Sequence, residues 1–412
     1  MTDFTPDKYW PLGSTVQETL TDLSDTQFYR HFGRIMVNPV NGHMVIIYRR
    51  GAHHEAPGDY GVICIRHSCD GGNNWSGEEE INKFTVQGKD LRNVAGGYDS
   101  NGMLFVFYAQ YHPEQDPITY FYEICYCYSD NDGASWIPDN PIILPHQLES
   151  QNNARFSPYG QLIDAGNGIL YQTWYGGNPD PINPNNPSLF NLYIYKSLNG
   201  GESFKIEDII LVDDINNPRP WGEPSMVNVG GGCFLLLARK NECNPDGSNE
   251  YNHFRQFKSE DNCATWTNQG TTTFEAPPLS CQVQHTYAAP PFLSFINYEG
   301  VGIVACYYTN RITKILKVVF GLAVDLLNGP DGWKDSTKKE IYYYPCPEIP
   351  PQFATQGERS GYQSFFLPNY QYKGICVCFN EIKLSNNEYK AFPVIVFTEI
   401  SGMKDVLLAL GL

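Results

Sequence analysis

The chain has 412 residues and a formal net charge of −17, from 28 Lys and Arg against 45 Asp and Glu. So acidic a chain does not suit nucleic acid or an anionic membrane surface as its main partner, and no apolar run reaches the roughly 18 residues needed to span a bilayer. Hydrophobic residues at 42% exclude disorder, while 28 Tyr, 23 Phe, 37 Gly and 29 Pro favour many short strands and tight turns over long helices.

The N-terminal segment, residues 1–13, is polar and shows no apolar stretch of the secretory-signal kind. By default this places the chain in the cytoplasm with reduced thiols, non-standard export being the alternative. Strand-like runs follow. The first four to be recognised, at 62–66, 124–128, 192–196 and 254–258, each lead into one recurring pattern. It reads Ser68-Cys69-Asp70-Gly71-Gly72-Asn73-Asn74-Trp75, then Ser129-Asp130-Asn131-Asp132-Gly133-Ala134-Ser135-Trp136. It returns as Ser197-Leu198-Asn199-Gly200-Gly201-Glu202-Ser203-Phe204 and as Ser259-Glu260-Asp261-Asn262-Cys263-Ala264-Thr265-Trp266. The copies start 61, 68 and 62 residues apart. Each predicts a hairpin whose Asp or Asn accepts turn N–H groups, whose Gly supplies positive φ and whose aromatic packs beneath. Cys263, at the Gly position, is expected to strain the fourth turn.

The Pro- and Asn-rich run 176–187 reads as a loop, since strand patterns resume within the same repeat. The apolar tail 403–412 reads as a strand end or a short helix. Of the twelve Cys, none forms a CxxC pair; Cys125/Cys127 and Cys376/Cys378 lie two apart in apolar runs, on one face of a strand, and read as buried free thiols.

The recurring turn resembles the Asp box of sialidase-like propellers. Four copies at near-equal spacing in 412 residues imply an all-β fold, a six-bladed β-propeller of four-stranded antiparallel blades spanning 1–412 as a single domain. The N-terminal segment is expected to supply a strand to the last blade and close the ring.

Further motifs resemble the exo-sialidase (neuraminidase) family along nearly the whole chain. Phe32-Gly33-Arg34-Ile35-Met36 is similar to the family's first-strand Tyr/Phe-Arg-Ile-Pro, with Met36 in place of Pro; the resemblance makes Arg34 the first arginine of a carboxylate clamp. Arg49-Arg50 closes the next strand, with Arg50 expected to line the pocket floor and Arg49 to face solvent. In the loop 51–60, Asp59 would be the acid/base, with Glu55 as the competing candidate; His53 and His54 read as loop residues. Trp221-Gly222-Glu223-Pro224-Ser225 resembles the segment whose Glu polarises a Tyr nucleophile, which assigns that role to Glu223. Arg239, 16 residues on, would be the second clamp arginine, the alternative being that Glu223 and Arg239 form a plain ion pair. Tyr307-Tyr308-Thr309-Asn310-Arg311 resembles the segment carrying the third, Arg311, although Lys314 and Lys317 leave its register open. Gly361-Tyr362-Gln363-Ser364 looks like the nucleophile turn, with Tyr362 as nucleophile, and Glu381 would hold Arg34 through a bidentate pair.

The resemblance thus implies a retaining exo-glycosidase that releases terminal α-linked sialic acid from glycoconjugates. Guanidinium forks suit a carboxylate in plane. A neutral Tyr avoids the repulsion that a carboxylate nucleophile would meet beside the substrate's own carboxylate. No metal or cofactor is required. Sialylated glycans or free sialosides are the expected partners, without nucleic acid or membrane insertion. Three alternatives share parts of this pattern: a related substrate such as a deaminated sialic acid or a Kdo-like sugar, a non-catalytic glycan-binding propeller, and a structural scaffold. Trp174 is open to two readings, a pocket wall for the N-acetyl group or a core aromatic.

Overall fold

The structure, a computed structural model, describes residues 14–19, 27–54, 59–111, 122–145, 155–177, 190–213, 221–240, 254–274, 289–310, 315–343, 353–356, 361–366, 373–384, 388–399 and 403–412. The chain is an all-β propeller of antiparallel sheets. Its described strands fall into six of them. Sheet I holds Tyr29–Val37, Met44–Gly51, Val62–Ser68 and Glu79–Glu80; sheet II holds Asp90–Tyr98, Leu104–Tyr111, Tyr122–Ser129 and Ile137–Ile143. In sheet III, Arg155–Pro158 and Ile163–Gly166 both pair with Ile169–Gly177, followed by Asn191–Ser197 and Ile210–Leu211. Sheet IV holds Trp221–Gly230, Cys233–Lys240, Phe254–Ser259 and Thr267–Thr271, and sheet V holds Phe292–Tyr298, Val301–Asn310, Ile315–Leu322 and Trp333–Tyr343. In sheet VI, Phe353–Gln356 and Gly361–Phe366 both pair with Lys373–Leu384, which pairs with Tyr389–Glu399.

The N-terminal strand Ser14–Thr19 is the outermost strand of sheet VI, with Ser14 opposite Thr398. The two ends of the chain thus share one sheet. Four strands in every sheet were expected; sheets III and VI carry five, because the innermost position is occupied by two short strands in succession.

Each sheet is buried on both faces, so its strands are apolar at nearly every position instead of alternating. In Met44–Gly51, Val45 and Ile47 face sheet II while Ile46 and Tyr48 face sheet VI. One apolar cluster lies between each pair of neighbouring sheets. At the axis the innermost strands are stitched together: Leu162 N–H donates to Gly96 O at 3.0 Å, Leu293 N–H to Ser225 Oγ at 2.9 Å, and the Gln161 amide bridges Met226 O and Leu293 O. The tail forms a helix, Met403–Leu410, which seats Val406 and Leu410 in the cluster between sheets V and VI.

The four recurring turns share one hydrogen-bond pattern. The Ser hydroxyl accepts the N–H four residues on (Gly72, Gly133, Gly201 and Cys263) at 2.8–3.0 Å. The Asp or Asn oxygen accepts the N–H four residues beyond itself, in Asn74, Ser135, Ser203 and Thr265. Cys263 adopts φ 66°, where Gly72, Gly133 and Gly201 have 85–90°. A side chain there costs about 1–2 kcal/mol, offset by burial of the thiol in the cluster between sheets III and IV. Cys125, Cys127, Cys376 and Cys378 are buried free thiols.

Candidate active site

The start of each innermost strand and the end of the second strand lie side by side at one edge of an antiparallel sheet. The recurring turns join the third and fourth strands at the opposite edge. Arg49, Glu223, Arg239, Tyr362 and Glu381 all occupy the first edge, in sheets I, IV and VI. Four innermost strands carry the same irregularity there. Between His31 and Arg34, Arg92 and Ala95, Gly222 and Ser225, and Gly361 and Ser364, two residues oppose one on the neighbouring strand. Phe32, Asn93 and Glu223, each the first residue of its bulge, have φ of 56°, 50° and 49°. Tyr362 holds the same register position in sheet VI. A bulge bends the strand and re-aims a side chain, and each non-glycine residue at positive φ costs about 1–3 kcal/mol.

Arg34, the first residue past the bulge in sheet I, is 2% exposed. Its Nη1 donates to Gly33 O at 3.0 Å and its guanidinium lies 4.1 Å above the Tyr159 ring. Among the described residues, Nε and Nη2 have no hydrogen-bond partner. Desolvated donors of that kind are costly unless a ligand meets them. The expected pair with Glu381 does not form. Glu381, 1% exposed, accepts from the Tyr29 hydroxyl instead. The reason is position along the strand: the ring of Phe379 packs against Gly33, so Glu381, two residues nearer the edge, meets the first residue of the sheet I strand. Tyr29 is wholly buried, edge-on to His31 and His54.

The two neighbouring arginines have exchanged places relative to expectation. Arg49 is fully buried: Nε donates to Asp90 Oδ1 at 2.9 Å, Nη2 to Asp59 Oδ2 at 3.0 Å and Nη1 to His53 O at 2.8 Å. A Cβ at Gly51 or Gly61 would overlap this guanidinium, so both glycines make room for it. Asp90 also binds Arg92 at 2.5 Å, and Arg92 sits over the Tyr111 ring. Arg50, on the opposite face of its strand, turns away to Glu78 and Glu80 at 2.9 Å each. Alternation of side chains along a strand requires that only one of the two face the site.

Asp59 is buried at the site edge. Its carboxylate accepts the N–H groups of Ala52 and His53 at 2.9 and 2.8 Å besides Arg49. Burial pushes this carboxyl up, but Arg49 and the two N–H groups outweigh it and hold it below the ordinary range. Held in this way, the carboxylate is kept in its ionised form. Glu55 lies outside the described residues.

In sheet IV, Gly222 pairs with Arg239, which brings Arg239 Nη1 onto Glu223 Oε2; both side chains are buried. Glu223 Oε1 makes no hydrogen bond among the described residues. Arg311 lies outside the described residues, and for Tyr362 only the strand position is described. Lys317, one of the residues that left the register of Arg311 open, faces Glu340 at 4.0 Å. Trp174 is a core aromatic, fully buried and stacked on Tyr193 and Tyr195 at 4.2 and 5.0 Å. Sequence reasoning placed Arg49 in solvent and missed Asp90 and Arg92. The available signal was Asp90-Leu91-Arg92, two charges opening a strand otherwise too apolar to be exposed.

No protein-family model matches the chain, and no curated protein matches its sequence. Solved structures do match in fold. A Dyadobacter fermentans protein of unknown function superposes with a TM-score of 0.63 at 13% identity, over 94% of this chain and 99% of that one. A Trypanosoma rangeli sialidase, solved in complex with sialic acid, gives 0.59 at 14% identity over 96% of this chain, which spans 60% of the sialidase. A Penicillium chrysogenum α-L-arabinanase, complexed with arabinobiose, gives 0.55 at 16% identity over 92% of this chain and 98% of that one. At these identities the likeness establishes the propeller fold.

Proposed function

We propose that the chain is a retaining exo-glycosidase that hydrolyses terminal α-linked sialic acid, built as one six-bladed Asp-box propeller domain over 1–412. The observation that carries this reading is Arg34: a buried guanidinium on the face of Tyr159, two of whose nitrogens meet no acceptor among the described residues. A planar anion such as a sugar carboxylate satisfies both at once. Arg239 and Arg311 complete the clamp. Tyr362 attacks the anomeric carbon as a neutral nucleophile and passes its proton to Glu223 Oε1, the oxygen that Arg239 leaves open. Glu381 and Tyr29 form a buried pair that shapes the sugar pocket.

The proton for the leaving oxygen comes from Glu55, the competing candidate in the loop ahead of Asp59. Asp59 instead acts as the fixed anion that orients Arg49. A carboxylate-bearing sugar is preferred over a neutral one such as arabinose because a carboxylate offers the Arg34 fork two charged acceptors in one plane, where a hydroxyl offers one neutral acceptor.

The test is fluorophore release from an aryl α-glycoside of N-acetylneuraminic acid, run beside the deaminated analogue and an aryl α-L-arabinofuranoside. Release from the first, lost in Tyr362→Phe, supports the proposal. Release from the arabinofuranoside alone, or from none with the protein folded, overturns it.

A further inference from the structure

At the opposite edge of sheet I, a thiol and two imidazoles meet. Cys69, the second residue of the first recurring turn, is exposed, and its Sγ lies 3.3 Å from His43 Nδ1. His43 Nε2 lies 3.0 Å from His67 Nδ1. Asp132, from the corresponding turn of sheet II, stands 4.0 Å from His43 Nδ1 and is anchored by the side-chain amides of Asn38 and Asn41. Among the described residues, no group of three or more His, Cys, Asp and Glu is placed to hold a metal ion.

We propose that Cys69 is a nucleophilic thiol with His43 as its base, and that it undergoes reversible mixed-disulfide formation with small-molecule disulfides. The geometry is that of a nucleophile, its base and a third group that orients the base. Burial, and then the neighbouring His43, pull His67 below its ordinary value, so its ring is neutral at neutral pH and its Nδ1 can accept from His43 Nε2–H. When His43 takes the thiol proton, the imidazolium donates through Nε2 to His67 and faces both the thiolate and Asp132 through Nδ1. Asp70, whose own carboxylate is exposed beside Cys69, and Glu79, which acts on His67, are the other charges near the cluster.

In the step itself, Cys69 Sγ attacks one sulfur of the disulfide. The new Sγ–S bond forms as the old S–S bond breaks, and the departing thiolate takes the proton from His43. One sulfur of the added disulfide is reduced to a thiol and Cys69 is oxidised. The remaining described thiols contrast with it: seven are buried, Cys233 is half-buried, and burial pushes the thiols of Cys64, Cys125 and Cys127 up to about 12.

The experiment treats the full chain with glutathione disulfide and follows the adduct by intact mass and peptide mapping. Cys69 is expected to be modified first, and Cys69→Ser to abolish the fast adduct. His43→Gly should slow it about tenfold or more, with the rate recovered by imidazole added to the solution, a recovery that a merely structural histidine would not give. First modification at another cysteine, or a Cys69 rate unchanged by His43→Gly and indifferent to imidazole, overturns the proposal.

Discussion

Arg49 holds Asp59 at 3.0 Å and Asp90 at 2.9 Å, so one fully buried guanidinium neutralises carboxylates from two different segments. Its removal leaves two buried anions facing each other with only Arg92 as counter-charge. Breaking a buried pair from one side costs about 3–5 kcal/mol. Arg49→Met is therefore expected to lower the unfolding free energy by about that amount, read as a lower urea midpoint at unchanged slope, and Arg49→Met combined with Asp59→Asn to recover part of it. A midpoint within error of the parent would show that the network carries no stability.

Acid should unfold the sheet I–VI interface through Glu78. Burial raises this carboxyl, yet hydrogen bonds from Arg30, Tyr48 and Arg50 outweigh burial and bring it down to about 2. A folded value below the unfolded one, about 4.3 for Glu, means that the stabilisation is full above pH 4–5 and is lost as pH falls through the folded value. The expected contribution at neutral pH is about 3 kcal/mol. Glu78→Gln should flatten the decline in stability between about pH 5 and pH 2, read from denaturation midpoints across that range. An unchanged acid limb would place the titrating carboxylate elsewhere.

In the proposed clamp, Arg34 is the residue whose Nε and Nη2 meet no acceptor among the described residues. Arg34→Lys keeps the charge but loses the planar fork, and Arg34→Ala loses both. Calorimetry with a sialic-acid glycal analogue should show weakening of about 10- to 100-fold for Arg34→Ala, the range of a charge-assisted hydrogen bond or two, with Arg34→Lys between. Equal affinity in all three proteins would remove Arg34 from the clamp.

How much of this was legible in the sequence depends on the range of the interaction involved. The four turns were readable because the bonds that define them are local: Ser68 Oγ to Gly72 N and Asp70 Oδ1 to Asn74 N span four residues each. Closure by Ser14–Thr19 was readable from topology, since a ring needs both ends in one sheet. The pairing of Glu223 with Arg239 followed from adjacent strands. What failed was long-range or depended on a one-residue register. Arg49 and Arg50 differ only in which face of the strand each occupies. Glu381 pairs with Tyr29, 352 positions away, instead of Arg34, because the Phe379 ring sets how far along the strand the carboxylate sits. The bulge shared by Phe32, Asn93, Glu223 and Tyr362 has no sequence motif, since its four residues have nothing in common but place.

The acid of the proposed reaction is separable from its neighbour by leaving-group dependence. Glu55→Gln should depress hydrolysis of natural sialosides, whose leaving alcohols need a proton, far more than that of an activated aryl glycoside. Asp59→Asn should depress both alike, because it loosens Arg49 instead of removing a proton. The ratio of kcat/KM for the two substrate types is the measurement. A selective loss in Asp59→Asn would return the proton donor to that residue.

Two tyrosine–glutamate combinations have backbone positions at this edge, and the strand register distinguishes them. Glu223 and Tyr362 stand at the same register position, the first residue of the bulge, in sheets IV and VI. Tyr29 starts a regular stretch, is wholly buried, and already spends its hydroxyl proton on Glu381. Tyr362→Phe should therefore lower kcat by roughly three orders of magnitude or more with the Kd of the glycal analogue nearly unchanged, since binding rests on the arginines. Tyr29→Phe leaves the Glu381 carboxylate without its hydroxyl donor. It should cost about 1–3 kcal/mol in stability while kcat falls no more than about tenfold. If the two variants exchange these behaviours, the nucleophile is Tyr29 and the Tyr362 bulge is a structural feature of the ring.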